Sequence, residues 1–146
     1  MPTAQRPPSE AAQLFPCSRD PRHVLGRLGE RLAAEHLSRL GFAVLARNVR
    51  TRHGEIDLIA FDGRALVFVE VKTTRSAGRG RAPTVESPLE RLRPRQRMRL
   101  RRLAVAWLSE RRADRPSARE IRFDAIGVTV DAQDRLLRLD HLEAAW

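Results

Sequence analysis

Two short segments carry side chains whose types and spacing could do chemistry together. Gly54-Glu55-Ile56-Asp57-Leu58-Ile59 sets two carboxylates two residues apart among apolar neighbours, and Phe68-Val69-Glu70-Val71-Lys72 sets a carboxylate two residues before a lysine. Asp62-Gly63 separates the apolar runs 56–61 and 65–72, the strongest short-range signal for a β-hairpin. With Asp62-Gly63 as a two-residue turn, Phe61 faces Arg64, Asp57 lies opposite Phe68 and Glu55 opposite Glu70. Strand side chains alternate, so Glu55, Asp57, Phe68, Glu70 and Lys72 then share one sheet face, and Ile56, Leu58, Ala60, Val67, Val69 and Val71 the other. Asp57 and Glu70 become diagonal neighbours, roughly 7–8 Å apart at Cα. A turn shifted by one residue on each side would set them directly opposite and give a similar site.

Ile59 and Phe68 stand on the charged face too, so the hairpin reads as central and covered on both sides. Carboxylates in such a place repel one another and lose hydration, and they need a cation. Lys72 offsets one charge; a hard divalent ion with oxygen ligands offsets more. Two carboxylates and waters around such an ion could clamp a phosphate oxygen and activate a water for in-line attack. Lys72 could orient that water or steady the developing phosphorane charge. Lys72 is the only lysine among 28 cationic side chains, and a compact ammonium that can titrate does what a guanidinium cannot. The plain alternative is an exposed strand whose alternating charges form weak cross-strand ion pairs.

The elements that must position these groups follow from pattern. Residues 1–22, rich in Pro, Ala, Gln and Ser, read as a disordered tail that contains the single Cys17. Leu25, Leu28, Leu32, Ala33, Leu37 and Leu40 mark a helix over about 23–40, with Gly41 placed to end it. Strands are expected at 42–48, 56–61 and 65–72, then a long loop from Arg75 to Pro94. Pro94 opens a second helix with Leu100, Leu103, Ala104, Trp107 and Leu108 on one face, ending near Arg112. Strands at 121–130 and 136–139 complete an αβββαββ order with no internal repeat, and 23–146 reads as one domain.

The net charge of +10 points to polyanionic partners, nucleic acid first and an anionic membrane surface second, although a compositional bias toward arginine is the bland account. Residues 75–122 hold 15 arginines against five acids, which accounts for the whole excess. Seven arginines crowd the start of the second helix with few aromatics nearby, a pattern for phosphate contact rather than base stacking. One cysteine allows neither an internal disulfide nor a thiolate metal site, which suits an intracellular chain. The longest apolar run, 103–108, is far below the roughly 18 residues a membrane span needs. With no signal-peptide core, the expectation is a cytoplasmic protein without membrane attachment.

Gly29-Glu30, Arg47-Asn48, the Gly-Glu-Ile-Asp and Glu-Val-Lys segments, and Arg122-Phe123-Asp124 together resemble the YraN family of small bacterial proteins, over about residues 23–130. That family is similar to archaeal Holliday junction resolvases and implies a restriction-endonuclease-like α/β fold, a central mixed sheet flanked by helices. The resemblance implies that Asp57, Glu70 and Lys72 form the catalytic centre, that Asp57, Glu70 and the Val71 carbonyl hold Mg2+ or Mn2+, and that Glu30 joins through water. Glu55 belongs to the same pattern as a support. Arg75, Arg95, Gln96, Arg99 and Arg102 are the candidate nucleic-acid contacts. Relatives commonly carry an arginine two residues after the active lysine and a lysine near the start of the second helix, where this chain has Lys72-Thr73-Thr74-Arg75 and Arg95-Gln96. The expected activity is hydrolysis of structured or branched DNA by a metal-dependent nuclease, and by analogy with junction resolvases a homodimer. The alternative is a nucleic-acid-binding module of the same fold that assists a recombination or helicase partner. A basic structural protein is disfavoured, because an ion-pair network has no need for an excess of acids.

Overall fold

The computed structural model describes residues 20–77, 87–111 and 113–146. Asp20 caps the first helix, its carboxylate accepting the Arg22 N–H at 2.9 Å, with Pro21 in the first turn where a missing N–H costs nothing. Helix α1 (Pro21–Arg39) thus starts two residues before the expected position, and Pro21 and Arg22 belong to it rather than to a tail. The rest of the expected tail, Cys17 included, lies outside the described residues. Gly41, at φ +90°, ends the helix as its position suggested, with Phe42 N–H returning to the Leu37 carbonyl at 3.0 Å.

Strands β1 (Ala43–Thr51), β2 (Gly54–Phe61) and β3 (Ala65–Arg75) follow, then α2 (Pro94–Glu110), β4 (Glu120–Val130) and β5 (Leu136–Leu142). This is the αβββαββ order expected of a restriction-endonuclease-like α/β fold. The five strands form one sheet in sequence order, with β3 and β4 parallel and every other neighbour antiparallel. A parallel pair needs a long crossover, and α2 lies within it. The expected long loop carries a 3-10 turn at Pro88–Arg91 near its end, and residues 78–86 within it are outside the described set.

Both sheet faces are covered. Helix α1 lays Ala33, Ala34 and Leu37 on Leu58, Ala60, Val67, Val69, Ile126 and Val128. Helix α2 lays Leu100, Leu103, Ala104 and Trp107 on Ile56, Ile59, Leu66 and Phe68. Trp107 meets Phe68 edge-on at 5.7 Å between ring centroids, and Trp146 stacks on Phe123, so both tryptophans serve the core.

The hairpin register differs from the expected one. Asp62 Oδ1 accepts the N–H groups of both Arg64 and Ala65, at 2.9 and 2.6 Å, and Asp62 N–H bonds the Ala65 carbonyl. The two turn residues are therefore Gly63 and Arg64, with Gly63 at φ +96° in the position that requires it. Phe61 pairs with Leu66 and Leu58 with Val69, the pairing shifted by one residue on each side.

Helix α1 meets β3 at Gly29, where a Cβ would fall 1.8 Å from Thr73 Oγ1; at Gly26 a Cβ would meet nothing within 4 Å. Of these two helix glycines, only Gly29 marks a close approach of α1 to the sheet. Gly29→Ala should cost about 2–3 kcal/mol of stability by overpacking. Gly26→Ala should gain up to about 1 kcal/mol from helix propensity. Urea denaturation of the two variants measures the contrast.

Candidate functional site

The site lies where β2 and β3 part. Their recorded pairing ends at Leu58 and Val69, and counting on from it sets Asp57 opposite Glu70. Instead of a main-chain partner, the Val71 N–H finds Asp57 Oδ2 at 2.7 Å. The N–H and carbonyl of a strand residue leave on the same edge, so the Val71 carbonyl also faces this opening.

Asn48 has a left-handed backbone, φ +49°, in the middle of β1. It occupies a gap in the β1–β2 pairing, between Arg47 with Leu58 and Val49 with Ile56, where Asp57 would be its partner. On either side of that gap the strands change face. Ala46 and Val49, and likewise Ile56 and Ile59, all pack on the α2 side although each pair is three residues apart. Ile56 consequently joins Ile59 and Phe68 rather than Leu58 and Val69, which corrects the faces expected from simple alternation.

The Asn48 side chain faces the same cavity as the Glu30 carboxylate from α1 and pulls its pKa down. The Glu30 oxygen Oε2 is buried without a hydrogen-bond partner. Burial pushes the Glu30 carboxyl above its usual range against the pull of Asn48, with Glu55 adding to the rise. Asp57 is pushed further, to about 7, first by burial and then by the charge of Glu70, with the Val71 N–H opposing. Glu30, Glu55, Asp57 and Glu70 line one cavity of about 280 Å3, and Arg22, Arg27, Arg50 and Arg99 share its walls. The opening is thus acidic at its floor and basic around it.

Lys72 reaches Glu70, Nζ to Oε1 at 2.8 Å, but does not itself line the cavity. Arg99 stands in the wall, while Arg95 and Arg102 line an adjoining cavity with His53, Met98 and Arg99. Gln96 and Arg75 are engaged elsewhere. Gln96 Oε1 accepts the Arg93 N–H at 3.0 Å as a helix cap, and Arg75 pairs with Asp134 at the β4–β5 turn. Among the described residues no three Asp, Glu, His or Cys side chains form a ready metal-ligand set. The four carboxylates that line the cavity are hard oxygen donors, the type that suits a hard divalent cation, and His23 lines it as well.

Sequence reading missed Asn48, Arg50, Arg22 and Arg27. A strand asparagine tolerant of positive φ was the available signal for Asn48. Asp124 is structural: fully buried, it accepts two hydrogen bonds from Arg122, one from the Ala144 N–H, and contacts His141 Nε2 at 2.9 Å. Burial alone would raise its carboxyl, yet these partners hold it below the ordinary range. His36 Nε2 and His141 Nδ1 lie 3.2 Å apart and extend this network.

The model of a family described as uncharacterised, UPF0102, matches residues 29–128, a span that includes Glu30, Asp57, Glu70, Lys72 and all of α2. A UPF0102 protein of Acidothermus cellulolyticus is 47% identical over 120 residues, which cover 77% of this chain and 86% of the relative. One from Streptomyces griseus is 48% identical over 109 residues, 75% of this chain and 85% of its own length. Another from Chlorobium limicola is 39% identical over 129 residues, 85% of this chain and 93% of its own.

The Asp57 shift carries a pH dependence. Its folded pKa, about 7, lies above the ordinary 3.8, so the folded state keeps a proton that the unfolded chain releases. Metal-free protein should therefore lose stability as pH rises from about 4 to about 7, by on the order of 2–4 kcal/mol in all. Asp57→Asn should flatten that fall and be the more stable protein at pH 8, as urea unfolding at pH 5 and pH 8 would measure.

Proposed function

Given that the chain belongs to the UPF0102 family, of which the YraN proteins are the expected kin, we propose that it is a metal-dependent nuclease that hydrolyses phosphodiester bonds in structured or branched DNA. The observation that carries the reading is the undercompensated acid cluster at the β2–β3 opening, Asp57 and Glu70 with the unpartnered Glu30 oxygen, walled by arginines. Asp57, Glu70 and the Val71 carbonyl would hold Mg2+ or Mn2+. When bound, such an ion polarises a phosphate oxygen and makes an acidic water available near pH 7.

The chain's own groups account for the rest. Arg22, Arg27, Arg50 and Arg99 would hold the phosphate oxygens over the acidic floor, since guanidinium forks match phosphate geometry. Glu30 has a free oxygen with which to take a hydrogen bond from an attacking water. Glu55 stands opposite Arg50 in the β1–β2 ladder, and both line the opening. Lys72 would offset the negative charge on the five-coordinate phosphorus, moving its ammonium from Glu70 toward the phosphate. The water oxygen bonds to phosphorus as the bond to one sugar oxygen breaks; one water proton passes to Glu30, the other stays on the new phosphomonoester, and the departing oxygen, on the opposite side, takes a proton from solvent. The products are a phosphomonoester and a hydroxyl.

A second reading has its own support. Lys72 is engaged by Glu70 outside the cavity walls, and the described acids form no ready three-residue ligand set. Both would suit a binding module of the same fold, partnered with DNA and a recombination or helicase protein, and working as a monomer or homodimer.

Labelled branched, flapped and linear DNA incubated with Mg2+ or Mn2+ separates the two. The nuclease reading expects wild-type cutting that falls by about 100-fold or more in both Asp57→Asn and Lys72→Ala. Cutting that persists equally in all three proteins would defeat it. Binding without any cutting would favour the module.

A further inference from the structure

A second cavity, of about 370 Å3, opens between the β1–β2 turn and α2, lined by His53, Arg95, Met98, Arg99 and Arg102. Arg99 lines this cavity and the carboxylate cavity alike, so that side chain stands between the two. The turn is built to bring them together. Thr51 Oγ1 accepts the His53 N–H at 3.1 Å and donates to the Gly54 carbonyl at 3.1 Å. Gly54 has φ +137°, and a Cβ there would stand 2.9 Å from Arg99 Nη2. The guanidinium therefore rests against a backbone that only glycine leaves open.

Arg95, Arg99 and Arg102 follow at intervals of four and three on one helix face, which brings like charges together at a cost. Among the described residues no carboxylate forms an ion pair with any of the three. The Arg52 Nε–H donates to His53 Nε2 at 3.0 Å, so in the neutral ring the proton lies on Nδ1, which remains a donor. Three guanidiniums with no carboxylate partner among the described residues and an imidazole N–H around one hollow are complementary to an anion with several oxygens. Among the described residues no carboxylate lines this hollow, unlike its neighbour.

We propose that this cavity is a second phosphate site, which takes the DNA phosphate next along the strand from the one held at the carboxylates, with Arg99 between the two. The proposal rests on the nucleic-acid reading of the carboxylate site but needs no catalysis. Its ligand is a phosphate of the DNA backbone, either an internal diester or a terminal monoester.

The test is fluorescence anisotropy of the full chain with labelled single-stranded DNA in EDTA, where nothing can be cut. Arg95→Ala and Arg102→Ala should each weaken binding about 5–10-fold at low salt and lower the salt-dependence slope by roughly one phosphate contact. Arg115→Ala, the same change of charge beyond the far end of α2, should stay within about twofold of wild type on the same electrostatic grounds. Oligonucleotides with and without a terminal phosphate distinguish the sources: equal affinity assigns an internal diester, tighter binding of the phosphorylated one a terminus, and either outcome supports the site. Circular dichroism checks that each variant is folded.

Arg95→Ala and Arg102→Ala proteins that are folded and bind no more weakly than Arg115→Ala would overturn the proposal, even if cutting proves to depend on Asp57. Conversely, loss of binding in these variants with no cutting by wild type would leave the phosphate site standing and remove the nuclease reading. A wild-type chain that does not bind DNA overturns both.

Discussion

The structure around the site depends on one hydrogen bond, from the Val71 N–H to Asp57 Oδ2, made where a main-chain pair would otherwise continue the β2–β3 ladder. A carboxylate in place of a carbonyl lets the strands separate without leaving the Val71 N–H unsatisfied. The same substitution fixes Asp57 in a buried place beside Glu70, against the preference of both charges for water. Other local features follow from accommodating it. The left-handed Asn48 turns β1 and β2 together at the level of Asp57, and Gly29 lets α1 come close enough on Thr73 for Glu30 to enter the same opening.

The sheet contains an instructive counterpart. Asp62 and Asp124 are also held at a strand crossing, but Arg122 binds both, and His141 and the Ala144 N–H complete the coordination of Asp124. Their carboxyls are held below the usual range despite burial, and the cluster ties β4 to the β2–β3 turn and to β5. At the β2–β3 opening the shift runs the other way for both Glu30 and Asp57, because burial and neighbouring carboxylates outweigh their donors. The chain has arginines in abundance and uses one to neutralise the first cluster. At the second its arginines stand around the cavity instead, where they meet whatever enters it.

How much of this was legible in sequence divides along physical lines. Element order and the acids at 57 and 70 were readable because periodicity and a charged residue among apolar neighbours are local signals. The start of α1 was also written locally, in Asp20-Pro21, and was hidden only by the composition of the segment before it. The hairpin register was not readable from Asp-Gly alone: the Asp62 side chain captures two N–H groups and moves the turn forward by one residue. The face change at Asn48 breaks the alternation on which the parity argument rested. His36 and His141 come together only through tertiary packing across 105 residues, which no local pattern encodes.

The division of charge takes on a spatial meaning in this light. The acids at the opening come from α1, β2 and β3, and α2 contributes one arginine, Arg99, which lies close against Gly54 at the end of the β1–β2 turn. Lys72 is occupied by Glu70, and burial together with the charge of Glu70 outweighs the lysine's pull on Asp57. The carboxylates therefore retain their demand for positive charge and the arginines their demand for negative charge. Side by side in one opening, those two unmet demands are complementary to a cation and a phosphate bound together, more than to either alone.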